Sequence, residues 1–148
     1  MRDSDAATPP TAHEAALRAL RHRDLSVHEL GERLRARDYG ETERNDAIEA
    51  LVRTGVVDDA RYAESRARQL ASRGAGDTLI RHTLARAGIE PDVAADAIDA
   101  LAPERERAQA VVERRGPGPK TVRYLLGKGF SDDVVAGVVA TESADELG

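Results

Sequence analysis

The sequence predicts an all-α fold of three tandem three-helix repeats that form an elongated, curved helical stack. Three observations support this prediction. Only 3 % of the 148 residues are aromatic, which is too few for a thick globular core. Leu, Ile, Val and Ala carry most of the apolar content beside 33 % charged residues, a composition that favours helices. Finally, apolar positions recur after 50 residues and again after 41 or 42 residues, which indicates internal repetition.

The repeat is clearest at apolar positions. A shift of 50 residues takes Leu30 to Ile80, and a further shift of 42 takes Ile80 to Val122. We therefore expect a disordered N-terminal tail and a frayed C-terminal tail around three repeats, which gives the segments 1–11, 12–55, 56–102, 103–141 and 142–148. The predicted helices cover residues 12–22, 27–37, 42–53, 59–73, 77–87, 91–101, 104–115, 119–128 and 132–140.

Local signals place several helix ends. Thr11 with Glu14 and Ser26 with Glu29 fit the pattern of a capping box, in which a hydroxyl side chain and a carboxylate satisfy the free N–H groups of the first turn. Asp38 should end the second helix, because Asp tolerates the left-handed backbone conformation.

Residues 55–76 hold the sharpest local signal, a connecting helix between two repeats. Gly55 should end the third helix, and Asp58 or Asp59 should cap the fourth. The inward stripe of this fourth helix is predicted to consist of Tyr62, Ala63, Ala67 and Leu70.

Charge is segregated along the chain although the net charge is −5. Three blocks, at 15–37, 61–86 and 104–128, are net positive, whereas the segments between and after them are net negative. Aligned blocks would create a basic face, and scattered solvated charge is the alternative reading. The candidate contacts for a partner or for DNA come from the second and third blocks: Arg66, Arg68, Arg73, Arg81, Arg86, Arg114, Arg115, Lys120 and Arg123.

Little in the sequence points to catalysis, a cofactor or a metal. The chain has no Cys, and its four His lack the helical spacing that would pair two imidazoles as metal ligands. The segment 114–121 superficially resembles a phosphate loop, but Pro119 stands where that motif needs Gly, so we predict a turn between helices. We see no membrane span and no secretory signal, and we expect a cytoplasmic protein without a small-molecule substrate.

The run from Asp58 to Ala63, an acidic pair followed by Ala, Arg, an aromatic and Ala, resembles the hallmark of the RecX family of bacterial recombinase regulators. The resemblance covers about residues 14–140. The positions of the family motif, which we expect to be mainly structural, are Asp58, Asp59, Arg61, Tyr62, Ala63, Gly76 and Gly88. The sequence departs from the family pattern at Tyr62, where Phe is more usual, and at Asp77, where Pro often stands. A third departure is the pair Gly31 and Arg33, where two basic residues are more typical.

The resemblance implies a monomeric, non-enzymatic protein that binds the RecA recombinase on single-stranded DNA. Such a protein would lie in the groove of the RecA filament and dampen its ATPase and strand exchange in recombinational repair and the SOS response. Its own contact with single-stranded DNA would be weak and independent of sequence. The alternative is a sequence-specific transcription factor, because residues 26–55 would also pass for a helix-turn-helix.

Overall fold

The computed structural model describes the backbone of residues 8–147 and the side chains of residues 8–141. Within that part of the chain every regular element is an α-helix, which confirms the predicted fold class. The helices are α1 (Ala12–Leu20), α2 (Val27–Ala36), α3 (Glu41–Arg53), α4 (Asp59–Ser72), α5 (Asp77–Arg86), α6 (Pro91–Asp99), α7 (Glu104–Arg115), α8 (Pro119–Gly127) and α9 (Asp132–Leu147). They form three repeats of three helices each. Residues 1–7 of the predicted tail lie outside the described residues.

The ends of α1 to α8 lie within two residues of the sequence prediction. The last helix differs, because α9 continues to Leu147 whereas the sequence predicts an end near residue 140. No Gly or Pro interrupts residues 138–147, so nothing in this stretch breaks the helix. The helix end predicted near residue 140 is therefore wrong, and the tail predicted for residues 142–148 stays a prediction.

The chain divides into two compact units, Met1–Tyr62 and Ala63–Gly148. The domain boundaries drawn from the sequence stay predictions. In the first unit α1, α2 and α3 pack on one another around a buried apolar cluster, to which the loop before α4 contributes Val57. The cluster consists of Ala15, Ala16, Leu25, Leu30, Leu34, Leu51 and Val57.

Caps in the first unit follow the predicted pattern in part. Ser26 and Glu29 form a complete capping box, with both bonds at 3.1 Å. Thr11 caps α1 by accepting the Glu14 N–H at 3.2 Å, but no reciprocal bond from the Glu14 side chain is present. Asp38 follows α2 with a φ of 67°, so the predicted left-handed ending is confirmed.

The second unit contains a core in the third repeat where α7, α8 and α9 meet. The fully buried positions of α8 are Thr121 and Leu125. Val122, predicted as the counterpart of Ile80, is only partly buried, whereas Ile80 is fully buried. The predicted register was wrong by one residue, because the buried position that corresponds to Ile80 is Thr121.

The second and third repeats touch through backbone at the start of α5. The Gly76 N–H donates to the Lys128 carbonyl at 2.8 Å, and the Thr78 N–H donates to the Gly129 carbonyl at 3.0 Å. A Cβ at Gly76 would lie 2.3 Å from the Phe130 nitrogen, so no other residue fits this position without movement of the backbone.

An acidic residue at the start of one repeat also caps the second helix of the repeat before it. Asp59, the first residue of α4, accepts the Val27 N–H of α2 at 2.8 Å. Glu104, the first residue of α7, accepts the Asp77 N–H of α5 at 2.9 Å and the Ser131 N–H before α9 at 2.8 Å. These carboxylates satisfy N–H groups that a helix start leaves unpaired, and they complement its positive end.

The Glu104 junction also contains Asp77 and Arg107, which form an ion pair. Partial burial acts to raise the pKa of Glu104, but the N–H bonds from Ser131 and Asp77 outweigh it and hold that pKa below its ordinary value. Burial, helped by the charge of Glu104, raises the pKa of Asp77, and the Arg107 hydrogen bond offsets this only in part.

Candidate functional site

The residues of the hallmark serve the scaffold. The Asp58 carboxylate accepts the Arg61 N–H at 3.1 Å and so caps α4. The Arg61 guanidinium donates to the carbonyls of residues 55 and 56 at 3.0 and 2.9 Å, which fastens the preceding loop. Tyr62 is 5 % exposed and Ala63 is fully buried, as the predicted inward stripe requires.

The two glycines of the family motif lie at the two ends of α5. Gly76 immediately precedes the helix and makes the close approach to residues 128–130 described above. Gly88 follows the helix with a φ of 78°, a conformation that side chains other than glycine rarely adopt. The hallmark thus positions helices and leaves few of its polar groups for a partner.

The nine predicted contact residues all belong to the second unit, on or next to α4, α5, α7 and α8. Eight of them are exposed. The exception is Arg66, which is half-buried and donates to the Gln69 side chain at 3.3 Å. The structure therefore leaves most of the predicted cations accessible to a ligand.

The predicted contact residues also have no ion-pair partner among the residues that the structure describes. Among the residues that the structure describes there are two ion pairs, Arg23 with Glu29 and Arg107 with Asp77, and neither includes a predicted contact residue. Unpaired exposed cations keep their full attraction for phosphate or carboxylate groups.

The structure brings one group of basic residues together around Tyr124. The Arg115 Cζ lies 3.6 Å from the centre of the Tyr124 ring. A Cβ placed on Gly74 would lie 3.5 Å from the Lys128 Cε and 3.6 Å from the Tyr124 hydroxyl, so these two side chains lie close to each other. We call Arg115, Tyr124 and Lys128 the basic cluster.

Arg81 lies in a different environment. It is exposed, but its side chain lines an open cavity of about 240 Å³ together with Asp77, Glu104 and Ser131. None of these residues belongs to the basic cluster. The contact of Arg81 with a partner stays a prediction.

Two members of the cluster, Tyr124 and Lys128, were missed as candidates in the sequence. Lys128 lies in the third basic block but beyond the last residue chosen there. Tyr124 is one of only three tyrosines, and its place directly after Arg123 in a basic block was an available signal, since aromatic residues interleaved with cations are typical of nucleic-acid binding.

The arrangement can bind anions, and the described residues offer little else. They contain no group of three or more His, Cys, Asp or Glu side chains that could hold a metal ion. No described helix has the length and apolar character that a membrane crossing requires.

Comparison with known proteins identifies the family. Residues 58–98 match the family described as RecX, second three-helix domain. The chain is 34 % identical over 139 residues to the regulatory protein RecX of Chromohalobacter salexigens, which covers 88 % of this chain and 91 % of the relative. It is 36 % identical over 140 residues to the regulatory protein RecX of Acidithiobacillus ferrooxidans, with 88 % of each chain covered.

Solved structures agree on the fold. The crystal structure of RecX from Lactobacillus salivarius superposes with a TM-score of 0.78 at 24 % identity, over 90 % of this chain and 95 % of that one. A second crystal structure of a regulatory protein RecX gives a TM-score of 0.74 at 24 % identity, over 86 % of this chain and 70 % of that one. With relatives above 30 % identity over nearly their whole length, the chain belongs to the RecX family of regulatory proteins.

Proposed function

We propose that this protein binds the RecA recombinase filament on single-stranded DNA and modulates, mainly inhibits, its ATPase and strand exchange. The observation that carries the proposal is a set of exposed cations in the second and third repeats of a RecX-family chain, which form no ion pair with any described residue. The process served is recombinational DNA repair and the SOS response, and the protein acts in the cytoplasm as a monomer without catalysis of its own.

Arginine suits such a target. Its planar guanidinium binds the oxygens of phosphate and of carboxylate with paired hydrogen bonds, so the same surface can contact DNA backbone and acidic protein loops. A filament of recombinase on DNA presents both kinds of group. Binding through these charges requires no particular base sequence, because phosphate contacts carry no sequence information.

Charge reversal at one exposed arginine tests the use of this surface. Arg86→Glu changes the last residue of α5, and Arg53→Glu changes the last residue of α3 in the first unit, where the surrounding segment is acidic. Both side chains are exposed at a helix C-terminus, so the two reversals should cost similar stability. Arg44 is unsuitable as a control because its Nη1 donates to the Tyr39 carbonyl at 2.6 Å.

The assay is co-sedimentation with recombinase filaments on single-stranded DNA at increasing salt. We expect Arg86→Glu to weaken filament binding by about 3- to 10-fold and to flatten its salt dependence. Arg53→Glu should change binding by less than about twofold. Equal losses from the two reversals would show that only net charge matters and would contradict the proposed surface.

Filament binding must also be separated from the helix-turn-helix alternative. A transcription factor selects its duplex site over random DNA by about 10³ or more. The proposed regulator should show little sequence preference. Strong selection of one duplex by this chain would overturn the proposal.

A further inference from the structure

Two arginines of the second unit lie over aromatic rings, and they differ in what remains of their hydrogen-bonding capacity. Arg107 lies 5.9 Å from the centre of the Phe130 ring, and its N–H groups go to the carbonyls of residues 75 and 102 and to the Asp77 carboxylate. Arg115 lies only 3.6 Å from the centre of the Tyr124 ring. Among the described residues Arg115 donates no hydrogen bond and forms no ion pair. The N–H groups of Arg107 are thus used in bonds within the protein, whereas the N–H groups of Arg115 remain available to a ligand.

The distance at Arg115 indicates a stacked guanidinium. A cation counts as interacting with a ring when it lies within about 6 Å of the ring centre, and 3.6 Å is van der Waals contact with the ring face. One face of the guanidinium is therefore covered by the ring. Arg115 is exposed overall and has no hydrogen-bond or ion-pair partner among the described residues, so its N–H groups remain available to a ligand.

Tyr124 is itself held in place. It is partly buried against the apolar core of the third repeat, and its hydroxyl lies close to Gly74, which follows α4 in the second repeat. A ring fixed on two sides fixes the arginine stacked on it. A free arginine loses side-chain freedom when it binds a ligand, and a side chain that is already ordered avoids most of this cost.

Lys128 adds a second cation beside the same ring. Lys128 is the C-cap residue of α8. Its Cε lies near Gly74, as the Tyr124 hydroxyl does. The acidic residue nearest to Arg115 in sequence is Glu113, which also lies on α7. Because the two are only two residues apart, their side chains do not lie on the same face of the helix. Neither cation is paired with a carboxylate among the described residues.

We propose that Arg115, stacked on Tyr124, forms with Lys128 a binding site for single-stranded DNA. The guanidinium edge and the Lys128 ammonium bind backbone phosphates, and an unstacked base lies on the open face of the guanidinium. A duplex keeps its bases paired and stacked, so the base contact favours a single strand. This inference rests on the proposed function and assigns its DNA contact to particular residues, with Tyr124 as the positioning residue.

The test measures binding of the whole 148-residue chain to a short fluorescent oligothymidylate by anisotropy, without recombinase. Arg115→Ala should weaken binding about tenfold and reduce the slope of log affinity against log salt by about 1. Arg53→Ala is the matched control, because it also removes an exposed arginine from the last position of a helix. It should change affinity by less than about twofold.

Tyr124→Leu tests the positioning role separately. It keeps every charge, so the salt slope should stay as in wild type while affinity falls about 3- to 10-fold through loss of the ring. Tyr124→Phe keeps the ring and should restore binding, a rescue that a role confined to the hydroxyl would not allow. Thermal melting of each variant identifies any loss of fold, and Arg115→Ala at an exposed site carries the test if Tyr124→Leu unfolds.

Two results would overturn the inference. The first is wild-type affinity of Arg115→Ala for the oligothymidylate, and if this variant then binds recombinase filaments more weakly, the cluster contacts the recombinase instead. The second is an equal loss of affinity in Arg53→Ala. Neither of these results would by itself contradict the proposed function, which is tested on the filament.

Discussion

Replacement of Glu104 by Ala removes two caps at once. The Glu104 carboxylate accepts one N–H at the start of α5 and another just before α9, at 2.9 and 2.8 Å. Loss of one helix cap costs about 1 kcal/mol, so two should cost about 2 kcal/mol. Two effects reduce the cost, since water can reach these half-buried groups and Asp77 loses a repelling neighbour. We expect a net loss of about 1 to 3 kcal/mol in the free energy of unfolding.

Two variants calibrate this estimate. Glu106→Ala removes an exposed carboxylate from the same first turn of α7, so it matches the loss of charge at the helix end without the loss of the caps. Asp59→Ala removes one cap, on Val27, and should cost about half as much as Glu104→Ala. The order of destabilisation should therefore be Glu104→Ala, then Asp59→Ala, then Glu106→Ala.

Urea denaturation followed by circular dichroism measures the global effect. Native-state hydrogen exchange measures the effect at the two caps. The amides of Asp77 and Ser131 should exchange faster in Glu104→Ala than in wild type. If Glu104→Ala costs no more than Glu106→Ala and leaves these two amides unchanged, the reasoning is refuted.

Low pH should remove the stabilisation that the charged Glu104 carboxylate provides. The pKa of Glu104 is lowered in the folded protein, so its stabilisation is present above the unfolded value of about 4.5 and is lost as the pH falls through the folded pKa. The difference in stability between wild type and Glu104→Ala should therefore shrink as the pH falls below about 4.5. A difference that stays constant to lower pH would exclude the charged carboxylate as its source.

Two further substitutions test the scaffold. Tyr62→Ala should destabilise the protein by about 2 to 4 kcal/mol in denaturant melting, because the ring is 5 % exposed and its loss leaves a cavity. A cost under about 0.5 kcal/mol would contradict its burial. Gly76→Ala should cost about 2 to 4 kcal/mol, because the new methyl would lie 2.3 Å from the Phe130 nitrogen and would strain the backbone bonds between the second and third repeats. Gly40→Ala is the control, because Gly40 also precedes a helix in extended conformation but has open space around it. If the two variants lose similar free energy of unfolding, the close approach of Gly76 to Phe130 does not explain the loss.

The sequence correctly predicted structural features whose physical cause lies within a few residues of the chain. The capping box of Ser26 and Glu29 joins residues three apart, and the left-handed Asp38 follows from its own side chain. The inward position of Tyr62 follows from helical periodicity. These features depend on neighbours within one or two turns, which a sequence displays directly.

The missed features depend on distant partners. The bond from Val27 to Asp59 spans 32 residues, and the two bonds to Glu104 each span 27. Side-chain periodicity does not encode which helix start lies beside which carboxylate. The stacking of Arg115 on Tyr124 likewise depends on how α7 and α8 meet, so composition could suggest the two residue types but could not pair them.

The central claim is that this RecX-family chain regulates the recombinase filament. Its most direct test is the ATPase rate of the host RecA recombinase on single-stranded DNA while this protein is added in increasing amounts. We expect the rate to fall in a dose-dependent way and to approach a plateau at saturation, with less inhibition at higher salt. An unchanged ATPase rate at saturating protein would contradict the claim.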